Sequence, residues 1–415
     1  MTDSGSRFLP YGRHQIDEDD IAAVVSVLRS DSLTGGPRVA EFEQAFAQRV
    51  GARFAVACAN GTAGLHLAAM ALGLGPDDAA IVPTLTFLAT ANAARYVGAE
   101  VSFADVDPAT GLMQPEDLRE AFARETGRKV KAILPVHLNG QCVDMESIAE
   151  FAGRHELRVI EDACHAIGAT YRTRSGEEVR VGACRHSDMA VFSLHPVKTI
   201  AMGEGGVVTT NNPDLYAALL RLRNHGMVRE ASRFVQREEA FDADGQPNPW
   251  YYEMPEPGYN YRASEIHCAL GLSQLGKLDH FLARRRELAD TYDRALAPLA
   301  RLVRPIARVP QAASGWHLYV VHIDFKAAGK SRACLMNELR ERGIGTQVHY
   351  LPVHRQPYYR RRYGSLALPG ADTYYASCLS LPFYPALTGS DVGRVAAALG
   401  ESLAANAHLQ TRQTS

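Results

Sequence analysis

Apolar residues follow two alternating rhythms along the first half of the chain. Over 41–50, Phe42, Ala45, Phe46 and Val50 fall on one helical face, the pattern stops at Gly51, and the short apolar run 54–59 follows. That spacing predicts a helix feeding a buried strand. The alternation then returns as helix 62–72, strand 80–82, helix 88–96, strand 101–103, helix 115–123, strand 130–136, helix 146–154 and strand 157–161. Strands separated by helices of this length predict an α/β architecture with a mostly parallel sheet covered on both faces.

From about 187 the rhythm shortens to strands 188–193 and 206–210 joined by a Gly-rich connection. The stretch 229–260 carries Pro247, Pro249, Trp250, Tyr251, Tyr252, Pro255 and Pro257 and is too long for an ordinary connection, which predicts either a functional loop or a disordered insert. Helical patterns at 265–278 and 281–296, a strand at 318–325, a helix at 331–342 and a last helix after Ser390 predict a smaller α+β domain. No internal repeat is present, and the polar tail 410–415 is the one low-complexity segment.

Composition narrows the function classes. With 415 residues, 46% hydrophobic and 22% charged, the chain is long enough for two packed units and is not disordered as a whole. A net charge of -2 excludes a global basic field for nucleic acid or an anionic membrane, so any anionic ligand needs a local site. No run approaches the roughly 18 apolar residues of a membrane span, and 1–10 has no apolar core, so the expectation is a cytoplasmic chain. The seven cysteines are scattered, and the fifteen histidines form no compact ligand cluster, so reduced thiols and no metal site are expected.

The richest chemistry lies in Ser193-Leu194-His195-Pro196-Val197-Lys198, followed by Gly203-Glu204-Gly205-Gly206. A lysine just past a strand, with a histidine beside it and glycines approaching, has the ingredients of a Schiff-base site, although a solvated loop is the ordinary place for lysine. Upstream, Glu161-Asp162-Ala163-Cys164-His165 ends another strand. There Asp162 could pair with a protonated pyridine nitrogen or simply cap the next turn. Asn60-Gly61-Thr62-Ala63-Gly64 opens a helix whose N-terminus suits phosphate, with a plain N-cap as the alternative. Phe87, at a further strand exit, could stack on an aromatic cofactor or belong to the core.

In order and spacing these four segments, with Gly258-Tyr259-Asn260-Tyr261-Arg262 and Ala269-Leu270-Gly271-Leu272-Ser273-Gln274-Leu275, resemble the DegT family of sugar-nucleotide aminotransferases. These are pyridoxal-phosphate enzymes of the aspartate aminotransferase fold (fold type I), and the resemblance runs from about Tyr11 to about Leu399. It implies an arm over 1–14, a large cofactor domain over 15–265 with the loop 229–257 reaching toward the site or a partner, and a small C-terminal domain over 266–415. It implies that Lys198 carries pyridoxal phosphate in Schiff-base linkage, that Asp162 pairs with the pyridine nitrogen, that His165 neighbours the phenolic oxygen and that Phe87 stacks on the ring. Gly61, Thr62, Ala63 and Ser193 would hold the phosphate, and Asn260 would reach it from the partner subunit of a homodimer.

Glutamate and a nucleotide-linked 4-keto-6-deoxy sugar are the implied substrates, with Arg13, Thr34, His195, His349, Tyr350 and the loop 229–257 expected on the sugar side. Leu33-Thr34-Gly35-Gly36, Gly203-Glu204-Gly205-Gly206 and His349-Tyr350-Leu351-Pro352-Val353-His354 look most like the branch that makes UDP-4-amino-4,6-dideoxy-N-acetyl-β-L-altrosamine for pseudaminic acid. Leu194 stands where relatives commonly have Phe, and Ala201-Met202 where Thr is frequent. The alternatives are an aminotransferase for dTDP- or GDP-linked 3- or 4-ketosugars and a non-catalytic regulatory or scaffold relative. A dehydratase on this fold would carry His at the lysine position.

Overall fold

The structure, a computed structural model, describes residues 7–404, so the tail 410–415 and the first six residues of the arm lie outside it. In the first half, strands β1 (Phe54–Cys58), β2 (Asp78–Pro83), β3 (Glu100–Ala104), β4 (Lys129–Ile133), β5 (Arg158–Asp162), β6 (Thr170–Arg172), β7 (Glu178–Arg180), β8 (Met189–Ser193) and β9 (Gly206–Thr210) are interspersed with helices. Seven of them form one sheet in the order β1-β9-β8-β5-β4-β2-β3. β9 runs against both of its neighbours, and every other adjacent pair is parallel. The strands are rich in Ala, Val, Ile and Phe and almost wholly buried, as a sheet covered on both faces requires. Because six strands point the same way, the ends of β1, β2, β5 and β8 open on one edge, the edge where open α/β sheets bind ligands.

The second half adds β10 (Val303–Pro305), β11 (Ala312–Ala313), β12 (Tyr319–Ile323) and β13 (Cys378–Leu381). β11 joins β6 and β7 in a small antiparallel sheet, while β10, β12 and β13 form another. Leu288 and Tyr292 of helix Leu278–Leu296, Leu335 and Leu339 of helix Arg332–Glu341, and Val392 and Leu399 of helix Gly389–Ala404 close a second apolar core over that sheet. Leu9 is sealed into the same core, and its backbone exchanges hydrogen bonds with Gly343 and Gly345 (2.8 and 2.7 Å). Helix Leu278–Leu296 serves both cores, since Leu278, Phe281 and Leu282 belong to the larger one. Cys268 and Leu275 also pack there, so the large core continues past residue 266.

The stretch 229–260 is ordered. It holds the short turns Ala231–Arg233 and Arg237–Ala240 and folds over its own cluster of Phe234, Ala240 and the adjoining Val228, with Phe241 and Tyr251 against it. Among the described residues no helix is long and apolar enough to cross a membrane.

Candidate active site

One edge of the sheet frames a cavity of about 650 Å³. Each strand end delivers its own group, because the chain turns sharply as it leaves the sheet. After β8, the Lys198 N–H donates to the His195 carbonyl (2.8 Å), while the Leu194 N–H donates to Gly205 O and the Met202 N–H to Leu194 O (both 2.9 Å). This tight loop holds Lys198 over the end of β5, where its exposed part lines the cavity. Burial lowers the Lys198 ammonium pKa, opposed by the nearby Asp162 carboxylate. An amine so placed is more readily deprotonated than a surface lysine and better able to act as nucleophile or base.

Asp162, buried at the end of β5, is fixed on both oxygens. The Cys164 N–H donates to Oδ1 (3.1 Å) and the Thr90 hydroxyl donates to Oδ2 (2.6 Å). His165 accepts a hydrogen bond from the Asn139 N–H at Nδ1 (3.3 Å), so its proton sits on Nε2, facing the Tyr350 hydroxyl (3.1 Å). Burial pushes the His165 pKa well below the ordinary histidine value, with the Lys198 charge adding to the effect, which keeps the ring neutral. His317 packs against it with ring centroids 4.4 Å apart, and its Nδ1 is buried without a hydrogen-bond partner among the described residues. His349 bonds Ser380 Oγ through Nδ1 (2.7 Å), and burial takes its pKa down to about 3.

On the opposite wall, β1 leads into helix Gly61–Ala71. Asn60 caps it by accepting from the Ala63 N–H (2.8 Å), so the Gly61 and Thr62 N–H groups have no partner within the described residues. The side-chain hydroxyls of Thr62 and Ser193 are likewise without a hydrogen bond there, and both residues line the cavity. The helix comes this close only because of its glycines: a Cβ on Gly61 would stand 2.9 Å from Ser193 Cβ. Phe87 lines the same cavity and is 54% exposed, with its ring 6.0 Å from that of Tyr350.

Of the residues singled out in the sequence, Gly61, Thr62, Phe87, Asp162, His165, Ser193, His195, Lys198, His349 and Tyr350 therefore meet at one cavity. Ala63 does not line it and lies buried behind the helix end. Arg13, Thr34 and Asn260 are exposed and also lie outside its lining. Gly35 and Gly36, next to Thr34, line a second cleft of about 530 Å³ together with Arg229, Arg233 and Arg262. Sequence reasoning missed Thr90 and His317. The one available signal for His317 was a histidine just ahead of an apolar strand, two residues before β12, and Thr90 offered none.

The family model for the DegT/DnrJ/EryC1/StrS aminotransferase family matches residues 14–400. The Bacillus subtilis (strain 168) spore coat polysaccharide biosynthesis protein SpsC is 38% identical over 398 residues, 95% of this chain and 97% of SpsC. Among solved structures, Helicobacter pylori PseC, an aminotransferase involved in the biosynthesis of pseudoaminic acid, superposes with a TM-score of 0.84 at 28% identity over 96% of this chain and all of PseC (100%). The PLP form of the putative sugar aminotransferase Spr1654 from Streptococcus pneumoniae gives 0.82 at 26% identity, covering 96% of this chain and 99% of that one.

The cavity suits such a cofactor. It has unpartnered N–H and hydroxyl groups at a helix N-terminus for a phosphate, an exposed aromatic face, and an immobilised carboxylate and a desolvated lysine on one side. The chain belongs to the DegT/DnrJ/EryC1/StrS aminotransferase family and is a pyridoxal-phosphate-dependent sugar aminotransferase.

Proposed function

We propose that the protein moves an amino group from glutamate to a nucleotide-linked 4-keto-6-deoxy sugar, and that the product is UDP-4-amino-4,6-dideoxy-N-acetyl-β-L-altrosamine. The observation that carries the transfer chemistry is the approach of a desolvated Lys198 to a doubly held Asp162 on the wall of one open cavity. Likeness to PseC over nearly the whole chain supports the sugar.

Each residue then has a task. Lys198 holds the cofactor, and its freed Nζ takes the proton from the donor's α-carbon and later returns one to the carbon that receives nitrogen. When bound, pyridoxal phosphate supplies the electron sink that makes that α-carbon acidic. Asp162 would pair with the ring nitrogen, while neutral His165, its Nε2 proton facing Tyr350, would border the ring oxygen. Gly61, Thr62 and Ser193 bind the phosphate, and Phe87 covers one face of the ring. One lysine serves both half-reactions, so no separate acid and base are needed. Asn260 completes the phosphate site from the second subunit of a homodimer. His195, His349 and Tyr350, which line the cavity, face the sugar.

A panel of UDP-, dTDP- and GDP-linked 4-keto and 3-keto sugars, each with glutamate, tests the reading. Amination of the UDP-linked 4-keto-6-deoxy N-acetyl sugar ahead of the rest is the expected outcome. Preference for a dTDP or GDP sugar would replace the proposed substrate, and no amination of any member with glutamate consumed would remove the sugar reading.

A further inference from the structure

Asp162 is a buried carboxylate with no lysine or arginine in an ion pair with it among the described residues, and it draws its hydrogen bonds from elsewhere. Thr90, on the first turn of helix Leu88–Tyr96, has one hydroxyl proton and two acceptors in reach. These are Asp162 Oδ2 at 2.6 Å and the Phe87 carbonyl at 3.3 Å. The shorter contact to the charged oxygen takes the proton. Thr86 Oγ1 lies 2.8 Å from Thr90 Oγ1. Since Thr90 has already given its proton away, Thr86 must donate to it, which polarises the Thr90 hydroxyl further. Thr86, Thr90 and Asp162 are all buried, and of the three only Thr90 does not line the cavity, so its hydroxyl is reached from the cavity only through its partners.

We propose that Thr90, aligned by Thr86, is the positioning residue of this site: it locks the Asp162 carboxylate in one plane, presented to the cofactor's ring nitrogen. The Cys164 N–H fixes one oxygen and Thr90 the other, so rotation of the carboxylate would break a hydrogen bond at either end. Each oxygen retains a lone pair for the ring, because an ionised carboxylate offers about four acceptor sites and the protein occupies two of them. Helix Leu88–Tyr96 thus contributes twice, through Phe87 at its start and Thr90 one turn on.

The inference rests on the assignment of Asp162 to the ring nitrogen, and the experiment separates the two. Holoenzymes of Thr90→Val, Thr90→Ser, Thr86→Val and Asp162→Asn are compared for the glutamate half-reaction and for the pH at which the bound cofactor's absorbance changes. Thr90→Val, which keeps the shape and removes the hydroxyl, should slow the half-reaction by roughly tenfold to a hundredfold, the range in which outer-shell partners act on metal ligands. It should also shift the absorbance titration. Thr90→Ser should restore both, and Thr86→Val should give a smaller shift in the same direction. A Thr90→Val enzyme with wild-type rate and titration, beside a crippled Asp162→Asn, overturns the inference alone. Failure of Thr90→Ser to restore the titration would make the methyl group the relevant part and overturn it too. An unimpaired Asp162→Asn would instead remove the assignment on which the inference stands.

Discussion

Desolvation governs the titrating residues around Lys198. His165, His317 and His349 are all pushed down chiefly by burial, with the Lys198 charge acting in the same direction. For His349, a folded value of about 3 against an ordinary 6.5 means that the unfolded chain binds more protons between the two. Its contribution to stability is therefore complete above the ordinary value and is lost as the pH falls through that window. His349→Gln, which can still bond Ser380, should lose less melting temperature than wild type on acidification from about pH 7 to about pH 5. Thermal unfolding at the two pH values checks it, and parallel losses in both proteins would contradict it. The same residues show how far a sequence can be read. Lys198, Asp162 and His165 were legible because each sits where an apolar run ends, and a strand end has a local signature. Thr90 reaches Asp162 across 72 positions, and His317 meets His165 only when the C-terminal unit docks, so neither leaves a trace in its own neighbourhood.

At the scale of elements, the site depends on how closely helix Gly61–Ala71 can press onto β8 and β9. Gly206 opens β9 opposite Ser193 and Cys58, and a Cβ there would stand 2.4 Å from the Asn60 carbonyl oxygen. That oxygen belongs to the backbone of the helix cap and accepts from the Gly64 N–H, so it cannot yield. Gly206→Ala should destabilise the protein by about 1–3 kcal/mol, the usual cost of overpacking, and weaken cofactor binding by displacing the Gly61 and Thr62 amides. Thermal unfolding with cofactor titration tests this, and unchanged values for both would show that the helix end tolerates the shift. Strong periodicity made the main sheet and most of its helices readable to within a few residues, but helices Glu18–Leu28 and Pro213–Leu222 went unread. Other elements lacked it. Helix Pro357–Tyr363 is mostly arginine and tyrosine, β6 and β7 have three residues each, and β13 follows helix Pro369–Ser377 without a break, so none presents a window long enough to carry a period.

On the scale of the whole molecule, two apolar cores share helix Leu278–Leu296, and we place the division between the two units within it. The C-terminal unit contributes His317, Gln347, His349 and Tyr350 to the cavity, so the site is built between the units. Asn260 and Thr34 lie outside that cavity, near a second cleft lined by Arg229, Arg233 and Arg262, which fits a reciprocal role across a two-fold interface. If so, Lys198→Ala and Asn260→Ala homodimers should each be weak or inactive. A co-refolded heterodimer of the two should regain up to about half the wild-type activity, because one of its sites keeps both residues. Verified heterodimers without activity would return Asn260 to its own subunit or exclude it. Both readings presuppose that the chemistry runs through Lys198, and this can be measured on the intact enzyme. Borohydride reduction of the purified, cofactor-loaded protein followed by peptide mapping should find pyridoxal phosphate fixed on Lys198 and nowhere else. A label on another lysine, or no label on a protein shown to be loaded, would contradict it.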